Sequence, residues 1–343
     1  MLLTSCGGLV IPGIVGCLRA EKDWDFHIVG VDMQAQAVGA HFVDSFHTVP
    51  AGLDPSYPEK ILKVARQENV DVIVPLSDEE VLALSQHRDR FDEKGIAVLC
   101  SDKEAVATSS DKGEMLDFLR ERGVPVPGFH RPTSIAELDE AVESLGYPER
   151  ELVLKPARGR GGRGLRILSE KTGGQDLILK ERYLQRFPYS ALRPLLAEKP
   201  DLPPLVVMQY LSGRDFNVDA LTWRGETLYC IPIERIVPEA GPVEVGRTVH
   251  DTRVDAMVAQ IVTAFGFSYN INVELAYPDE SDRSRPLVYE INPRVSGPIA
   301  MHRVAGVNLL LFGIMLGMGR DIPRNLAYRD ITMQRCWQEV YSE

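Results

Sequence analysis

Glu290, Asn292 and Arg294 alternate within a short apolar segment near the carboxyl end of the chain. Residues 288–292 predict a β-strand, and on a strand alternate side chains share one face. A carboxylate and an amide oxygen on one face are ligands that Mg²⁺ accepts, with water and phosphate oxygens completing its shell. Arg294 would add a permanent positive charge at the edge of such a site. The spacing therefore favours metal-assisted phosphate chemistry.

A second strand, predicted over residues 271–276, precedes this segment across a polar connection. It carries Glu274, which would face Glu290 if the two strands pair as a hairpin. The alternative interpretation is the solvated face of an edge strand, which needs no metal. The apolar residues Val288 and Ile291 weigh against that alternative, because they place the carboxylate between buried positions, where an unpaired charge is expensive.

Lys155 ends a predicted strand and is followed by a loop rich in arginine and glycine, over residues 156–164. Glycines allow consecutive backbone N–H groups to approach phosphate oxygens, and the lysine adds a point charge. The order differs from a Walker loop, since the lysine precedes the glycines and no helix is predicted after them. A plain hairpin is the alternative, and the position between two apolar strands disfavours an RNA-binding tail.

Composition narrows the class of protein. The chain has 343 residues, 44% hydrophobic and 25% charged, which is typical of a globular protein with two or three domains. Its net charge of -11 disfavours non-specific binding to nucleic acid or to acidic membranes. Five widely spaced cysteines indicate neither a disulfide framework nor a zinc site. Without a basic leader or a membrane-length apolar run, a soluble cytoplasmic protein is expected.

The elements that must position these residues are of two kinds. In the first hundred residues short apolar strands alternate with amphipathic helices, which predicts a parallel α/β sheet with strands at 2–4, 26–31, 70–75 and 96–99. The breaker-rich segment 123–127 predicts a joint between domains. Later strands follow one another with few helices, which predicts a mostly antiparallel region with strands at 205–210, 216–222, 227–236, 271–277 and 287–292. The fold class is thus α/β followed by α+β.

Five features in a fixed order resemble the ATP-grasp superfamily: Lys112, Lys155 with its glycine loop, the strand and turn at 206–219, Glu274, and the segment 290–294. The likeness is greatest to members related to the carbamoyl-phosphate synthase large subunit and the D-alanine–D-alanine ligases. It implies a pre-ATP-grasp α/β domain over residues 1–105. A linker helix and a small lid subdomain would span 106–210, and a large subdomain with the metal site would span 211–343.

The resemblance also implies a role for each candidate residue. ATP would be held by Lys112, Lys155, Gly161, Gly162, Met208, Gln209, Leu211 and Asp215. Two Mg²⁺ ions, with Mn²⁺ as an alternative, would be bound by Glu274, Glu290 and Asn292. Arg294 and Lys155 would act on the reacting carboxylate and the transferred phosphoryl group.

The function implied by the resemblance is an ATP-dependent ligase that joins a small-molecule carboxylate to an amine through an acyl phosphate, releasing ADP and phosphate. Two alternatives stay open: phosphorylation of a carboxylate or carbamate, as in carbamoyl-phosphate synthase, and a sensor that binds ATP without turnover. A dinucleotide-binding domain is disfavoured, because Gly7, Gly8 and Gly13 lack the spacing of that motif. The apolar stretch 307–318 predicts a core helix, with a contact in a homodimer as the alternative.

Two further segments are candidates for binding the second substrate. In the family, loops of the amino-terminal domain face the grasp domains, which draws attention to Ser77, Asp78 and Glu79. His302 and Arg303 follow the metal strand and are candidates for contact with the acceptor, with a surface or capping role as an equal alternative.

Overall fold

The computed structural model describes residues 1–159, 162–171, 186–199, 201–237, 243–282, 284–336 and 338–341. Within these ranges the strands form one parallel sheet, followed along the chain by two largely antiparallel sheets. The predicted fold class, a parallel α/β domain followed by a mostly antiparallel region in two parts, is confirmed. The domain boundaries at 105 and 210 stay predictions.

The first sheet has the strand order β3-β2-β1-β4-β5, with β1 (Leu2–Leu3), β2 (Val29–Asp32), β3 (Ser45–Thr48), β4 (Val72–Val74) and β5 (Ala97–Val98). Its helices are α1 (Ile11–Arg19), α2 (Tyr57–Gln67), α3 (Asp78–Gln86) and α4 (Arg88–Asp92), with a 3₁₀ turn at Val38–His41. Strand β1 lies where the order reverses, so the loops after β1 and β4 leave the same carboxyl edge. Ser77 starts α3 there, because its hydroxyl accepts a hydrogen bond from the Glu80 amide.

Helices α5 (Lys103–Ser109) and α6 (Lys112–Glu121) lead to the small sheet, of order β6-β10-β7-β8-β9. Its strands are β6 (Phe129–His130), β7 (Leu152–Pro156), β8 (Arg166–Leu168), β9 (Arg186–Phe187) and β10 (Leu205–Gln209), with helices α7 (Ile135–Ser144) and α8 (Tyr189–Leu196). Residues 186–187 form a strand because they pair in parallel with β8.

The large sheet has the order β15-β14-β11-β12-β13-β16, and its neighbouring strands are antiparallel. The strands are β11 (Asp215–Trp223), β12 (Glu226–Arg235), β13 (Val245–Thr248), β14 (Tyr269–Ala276), β15 (Leu287–Asn292) and β16 (Thr332–Gln334). Helix α9 (Thr252–Phe265) starts at Asp251, whose carboxylate accepts from two backbone amides of the first turn. Helices α10 (Ala300–Ala305) and α11 (Leu309–Gly317) follow β15.

Helix α11 is a core helix, as the apolar stretch 307–318 predicted. Residues 309–314 are buried. All of them except Gly313 share one hydrophobic cluster with Leu3 and Val74 of the parallel sheet and with Leu221 and Ile231 of the large sheet. The helix therefore joins these two sheets through a common core. In the part of the chain that the structure describes, no helix has both the length and the apolar character needed to cross a membrane.

Candidate active site

The three predicted metal ligands meet on the hairpin of β14 and β15. Glu274 lies directly opposite Glu290, and Asn272 lies opposite Asn292. Opposite residues of paired strands present their side chains to the same face, and the Nδ2 atom of Asn292 is 3.4 Å from Oε1 of Glu274. Two carboxylates and an amide oxygen form a donor set that suits a hard cation. Among the described residues, no group of three or more His, Cys, Asp or Glu side chains is arranged to bind a metal.

Two lysines from distant segments converge on Glu290. The Nζ atoms of Lys112 and Lys155 lie 3.5 and 3.8 Å from its Oε2 atom. Lys155 also donates to the backbone oxygen of Tyr289 at 3.0 Å, and Lys112 donates to that of Gly159 at 2.7 Å. The pair therefore places two ammonium groups around one carboxylate, beside the start of the glycine loop.

Helix capping explains how Lys112 is positioned. The Asp111 carboxylate accepts from the amides of Gly113 and Glu114, both at 3.1 Å, so α6 begins at Lys112. The Lys112 amide donates to the Ala157 carbonyl at 2.9 Å, which ties this first turn to the end of β7. The cap thus fixes the backbone from which the Lys112 side chain reaches Glu290.

Burial changes the proton affinity of these groups. It lowers the pKa of Lys155 to about 8, although the Glu290 carboxylate acts in the opposite direction. It raises the pKa of Glu290, against the two ammonium groups. Lys155 has only 4% of its side chain exposed, so its charge is maintained by its neighbours rather than by water. A phosphate group could take over that role.

The amino-terminal domain reaches the site through Asp78. Its Oδ1 atom lies 3.1 Å from Nε of Arg294, and Asp78 is the first residue of α3 at the carboxyl edge of the parallel sheet. Arg294 also donates to Oδ1 of Asn292 at 3.0 Å. The guanidinium group therefore connects the predicted metal strand to a loop that the sequence marked for the second substrate.

Arg235 was not among the site residues predicted from the sequence. Its guanidinium group contacts the carboxylates of Glu274 and Asp215. It donates to Oε2 of Glu274 at 2.7 Å, and its Nε is 3.4 Å from Oδ2 of Asp215. Asp215 accepts a further hydrogen bond from the Tyr289 hydroxyl at 2.8 Å, and burial raises its pKa. A signal existed, since Arg235 lies two residues after the buried Ile233 on β12 and so shares its inward face. The carboxylate of Asp215 faces this cluster, and its role toward ribose stays a prediction.

The predicted adenine segment joins the two antiparallel sheets. The Met208 side chain is buried in the core, so any contact with adenine there must come from the backbone. The amide of Gln209 already donates to the Gly128 carbonyl at 2.9 Å. Leu211 follows β10 on the way to β11. The assignment of these residues to adenine stays a prediction.

In the glycine loop, Gly162 has a φ of 70°, which favours glycine, and its carbonyl accepts from the Leu165 amide in a tight turn. Gly161 lies outside the described residues. In the amino-terminal domain, the Asp32 carboxylate accepts from the Gly7 amide at 2.6 Å. This hydrogen bond links the turn after β1 to the end of β2.

His302 and Arg303, the two candidates for contact with the acceptor substrate, have different surroundings. His302 is fully buried, and its Nε2 atom lies 2.6 Å from Oδ2 of Asp219, so its expected contact with substrate is wrong. Arg303 donates to Oε1 of Glu21 at 2.7 Å, on the amino-terminal domain. The Arg303 side chain thus links helix α10 to the amino-terminal domain.

Two family models match the chain. Residues 201–335 match the one described as "ATP-grasp in the biosynthetic pathway with Ter operon". Residues 1–99 match the one described as "PylC-like, N-terminal domain". The carbamoyl phosphate synthase large chain of Rubrobacter xylanophilus is 28% identical over 282 residues, which is 78% of this chain and 24% of that protein. The chain thus spans about a quarter of the length of this relative.

Two solved structures share the fold. N5-carboxyaminoimidazole synthetase from Staphylococcus aureus, complexed with ADP, aligns over 98% of this chain and 81% of its own, with a TM-score of 0.72 and 16% identity. The biotin carboxylase domain dimer of Hydrogenobacter thermophilus 2-oxoglutarate carboxylase, in complex with MgADP, ADP and bicarbonate, aligns over 95% and 72%, with a TM-score of 0.69 and 15% identity. Residues 201–335 are thus similar to the ATP-grasp family, and the order of the motifs agrees with this similarity.

Proposed function

We propose that this chain is an ATP-dependent ligase that joins a carboxylate to an amine through an acyl phosphate. One observation carries the proposal. Lys112, Lys155, Glu274, Glu290 and Asn292 come from separate segments and meet on one face of a hairpin. Such a cluster brings phosphate-binding cations next to oxygen ligands for a divalent ion, which is what phosphoryl transfer from a nucleotide requires.

The charges of the cluster support a nucleotide bound with metal. The cationic side chains Lys112, Lys155, Arg235 and Arg294 are matched by the anionic side chains Asp78, Asp215, Glu274 and Glu290. A triphosphate whose charge is offset by two divalent cations would add little net charge to this balanced group. Glu274, Glu290 and Asn292 would hold the ions, which when bound would neutralise charge on the phosphates. The MgADP in the Hydrogenobacter structure supports the choice of Mg²⁺.

The residues of the chain position two successive steps. In the first, an oxygen of the substrate carboxylate bonds to the γ-phosphorus while the bond to the β-phosphate oxygen breaks, giving an acyl phosphate and ADP. In the second, the amine nitrogen bonds to the acyl carbon, phosphate leaves, and the nitrogen loses one proton. Lys112 and Lys155 hold the phosphates in line, and no side-chain nucleophile is required.

Arg294 would bind the reacting carboxylate. In the structure its guanidinium group is held by Asp78 and by Asn292. A substrate carboxylate would compete with Asp78 for the same donor, so the acid would enter between the amino-terminal domain and the metal strand. The amine would then approach from the side of Asp78, where a carboxylate favours a cationic group.

A second candidate function is phosphorylation of a carboxylate or carbamate without an amine acceptor. The similarity to the carbamoyl phosphate synthase large chain favours it. The two functions differ in whether ADP release needs an amine, and in whether the acyl phosphate itself is the product.

The test uses substrate acids labelled with ¹⁸O in the carboxylate, screened in pairs with amines in the presence of MgATP. A ligase forming an acyl phosphate transfers one ¹⁸O atom to the released phosphate and yields an amide. Unlabelled phosphate with amide formation would refute the acyl phosphate. Labelled phosphate without any amide, in all pairs, would favour the second candidate.

Matched variants test the assignment of the site. Glu290→Gln should abolish phosphate release while the fold is retained. Glu226→Gln is the control, because this carboxylate is 70% exposed at the start of β12 and outside the cluster. Undiminished turnover of Glu290→Gln, with the control also active, would refute the metal assignment.

A further inference from the structure

A buried chain of polar side chains runs beneath the predicted metal ligand Asn292. Its Nδ2 atom donates to Oδ1 of Asn272 at 3.3 Å, and Nδ2 of Asn272 donates to Oδ1 of Asp219 at 3.0 Å. The other oxygen of Asp219 accepts from the Ser296 hydroxyl at 2.7 Å and lies 2.6 Å from Nε2 of His302. All five side chains are at most 5% exposed.

The chemistry of these groups fixes the direction of each amide. An ionised carboxylate only accepts hydrogen bonds, so Asp219 requires the NH₂ group of Asn272 to face it. The oxygen of Asn272 then faces Asn292 and accepts from Nδ2 of that residue. As a result the Oδ1 atom of Asn292 points the other way, where it accepts from Arg294 at 3.0 Å. The oxygen thus faces Arg294, while the nitrogen is shared between Asn272 at 3.3 Å and Oε1 of Glu274 at 3.4 Å.

We propose that Asp219 is a positioning residue that keeps the amide oxygen of Asn292 directed at the divalent cation. The inference rests on the proposed function, because it takes Asn292 as a metal ligand. The NH₂ group of Asn272 also donates to the Val218 carbonyl at 3.3 Å and to Oδ1 of Asn217 at 2.9 Å, and Asp219 adds the charged acceptor. Without that charge the two amides rotate together more readily, and Asn292 then presents its NH₂ group to the cation. Outer partners that orient a ligand typically change metal affinity by about 10- to 100-fold when removed.

The test measures Mn²⁺ affinity by electron paramagnetic resonance, in the presence of ADP and without turnover. Asp219→Asn keeps the shape of the side chain and adds a donor, so Mn²⁺ should bind about 10- to 100-fold more weakly. The same change is then made in an Asn292→Asp background. A carboxylate offers an oxygen in either rotation, so Asp219→Asn should change Mn²⁺ affinity by less than about threefold there.

Ser296→Ala is the matched control. It removes a hydrogen bond from the same carboxylate but leaves Asp219 as an acceptor for Asn272, so Mn²⁺ affinity should stay close to that of the wild type. Should Asp219→Asn fail to fold, as judged by circular dichroism, Asn272→Leu provides the second variant. It breaks the chain of amides and should weaken Mn²⁺ binding with Asn at position 292 but not with Asp.

The outcomes separate this inference from the function on which it rests. An equal loss of affinity in both backgrounds, or a loss in Ser296→Ala as large as in Asp219→Asn, overturns the positioning role. If the wild type binds Mn²⁺ with ADP but shows no such coupling, the inference fails and the proposed function stands. If the wild type binds no Mn²⁺ at this hairpin, both fail together.

Discussion

Glu290→Gln is expected to destabilise the protein in a way that depends on pH. The substitution keeps the shape of the side chain and removes the carboxylate that lies 3.5 and 3.8 Å from Lys112 and Lys155. Burial already lowers the pKa of Lys155 to about 8, and Glu290 acts against that lowering. Without Glu290 the pKa of Lys155 falls further, so the folded variant releases this proton at neutral pH, while the folded wild type keeps it.

The size of the effect follows from that pKa. Below a pH of about 8, each pH unit adds about 1.4 kcal/mol to the difference in unfolding free energy between wild type and variant, until the pKa of the variant is reached. Above a pH of about 8, Lys155 is neutral in both folded proteins, and this part of the difference in unfolding free energy disappears. The loss at pH 7 should therefore exceed the loss at pH 9 by about 1.4 kcal/mol.

Urea unfolding at the two pH values measures both losses. Glu290→Gln in a Lys155→Met background is the control, and there the loss should be the same at pH 7 and pH 9. In the protein with Lys155 intact, a loss that is equal at both pH values, or larger at pH 9, would refute the idea that Glu290 maintains the charge of this lysine.

Three further predictions concern other parts of the molecule. ADP should bind more weakly above a pH of about 8, because Lys155 then loses its charge, and a dissociation constant that is flat from pH 7 to 9.5 would count against its phosphate role. Arg235→Met should lower the unfolding free energy by roughly 3 kcal/mol, because it leaves two carboxylates without their cation, and in urea unfolding this loss should shrink as the pH falls, because burial raises the pKa of Asp215. Gly313→Ala should destabilise by roughly 1–3 kcal/mol, because its Cβ would overlap the side chain of Asn270. Gly16→Ala, with open space around it, should be neutral or stabilising by up to about 1 kcal/mol in the same measurement.

The parts of the site that depend on local periodicity could be predicted from the sequence. The alternation of Glu290 and Asn292 follows from strand geometry alone, and the hairpin that places Glu274 opposite Glu290 needs only two neighbouring strands with a short connection. The order of the lysines, glycines and acidic residues identified the superfamily, although no single one of these motifs is decisive.

Contacts between distant segments could not be predicted in the same way. The approach of Lys112 to Glu290 and that of Asp78 to Arg294 depend on how α6 and α3 pack against the large sheet, which no spacing encodes. The burial of Arg235 could be predicted locally, because Arg235 alternates with the buried Ile233 on β12. The residues that Arg235 contacts could not be predicted from this alternation.

Short polar strands were missed for a related reason. Strands β3, β13 and β16 have three or four residues each and no run of apolar side chains. Their extended conformation comes from pairing with a neighbouring strand, which is tertiary information.

The packing of helix α11 against two sheets has a consequence for the unfolding of the protein. It is buried against β-strands from both the beginning and the later part of the sequence, so one face of the parallel sheet is completed only by residues more than two hundred positions away. Excising the first hundred residues would expose Leu3, Val74 and their neighbours to water, and such a fragment should aggregate. The two regions should accordingly denature in one cooperative transition, even though they are matched by different family models.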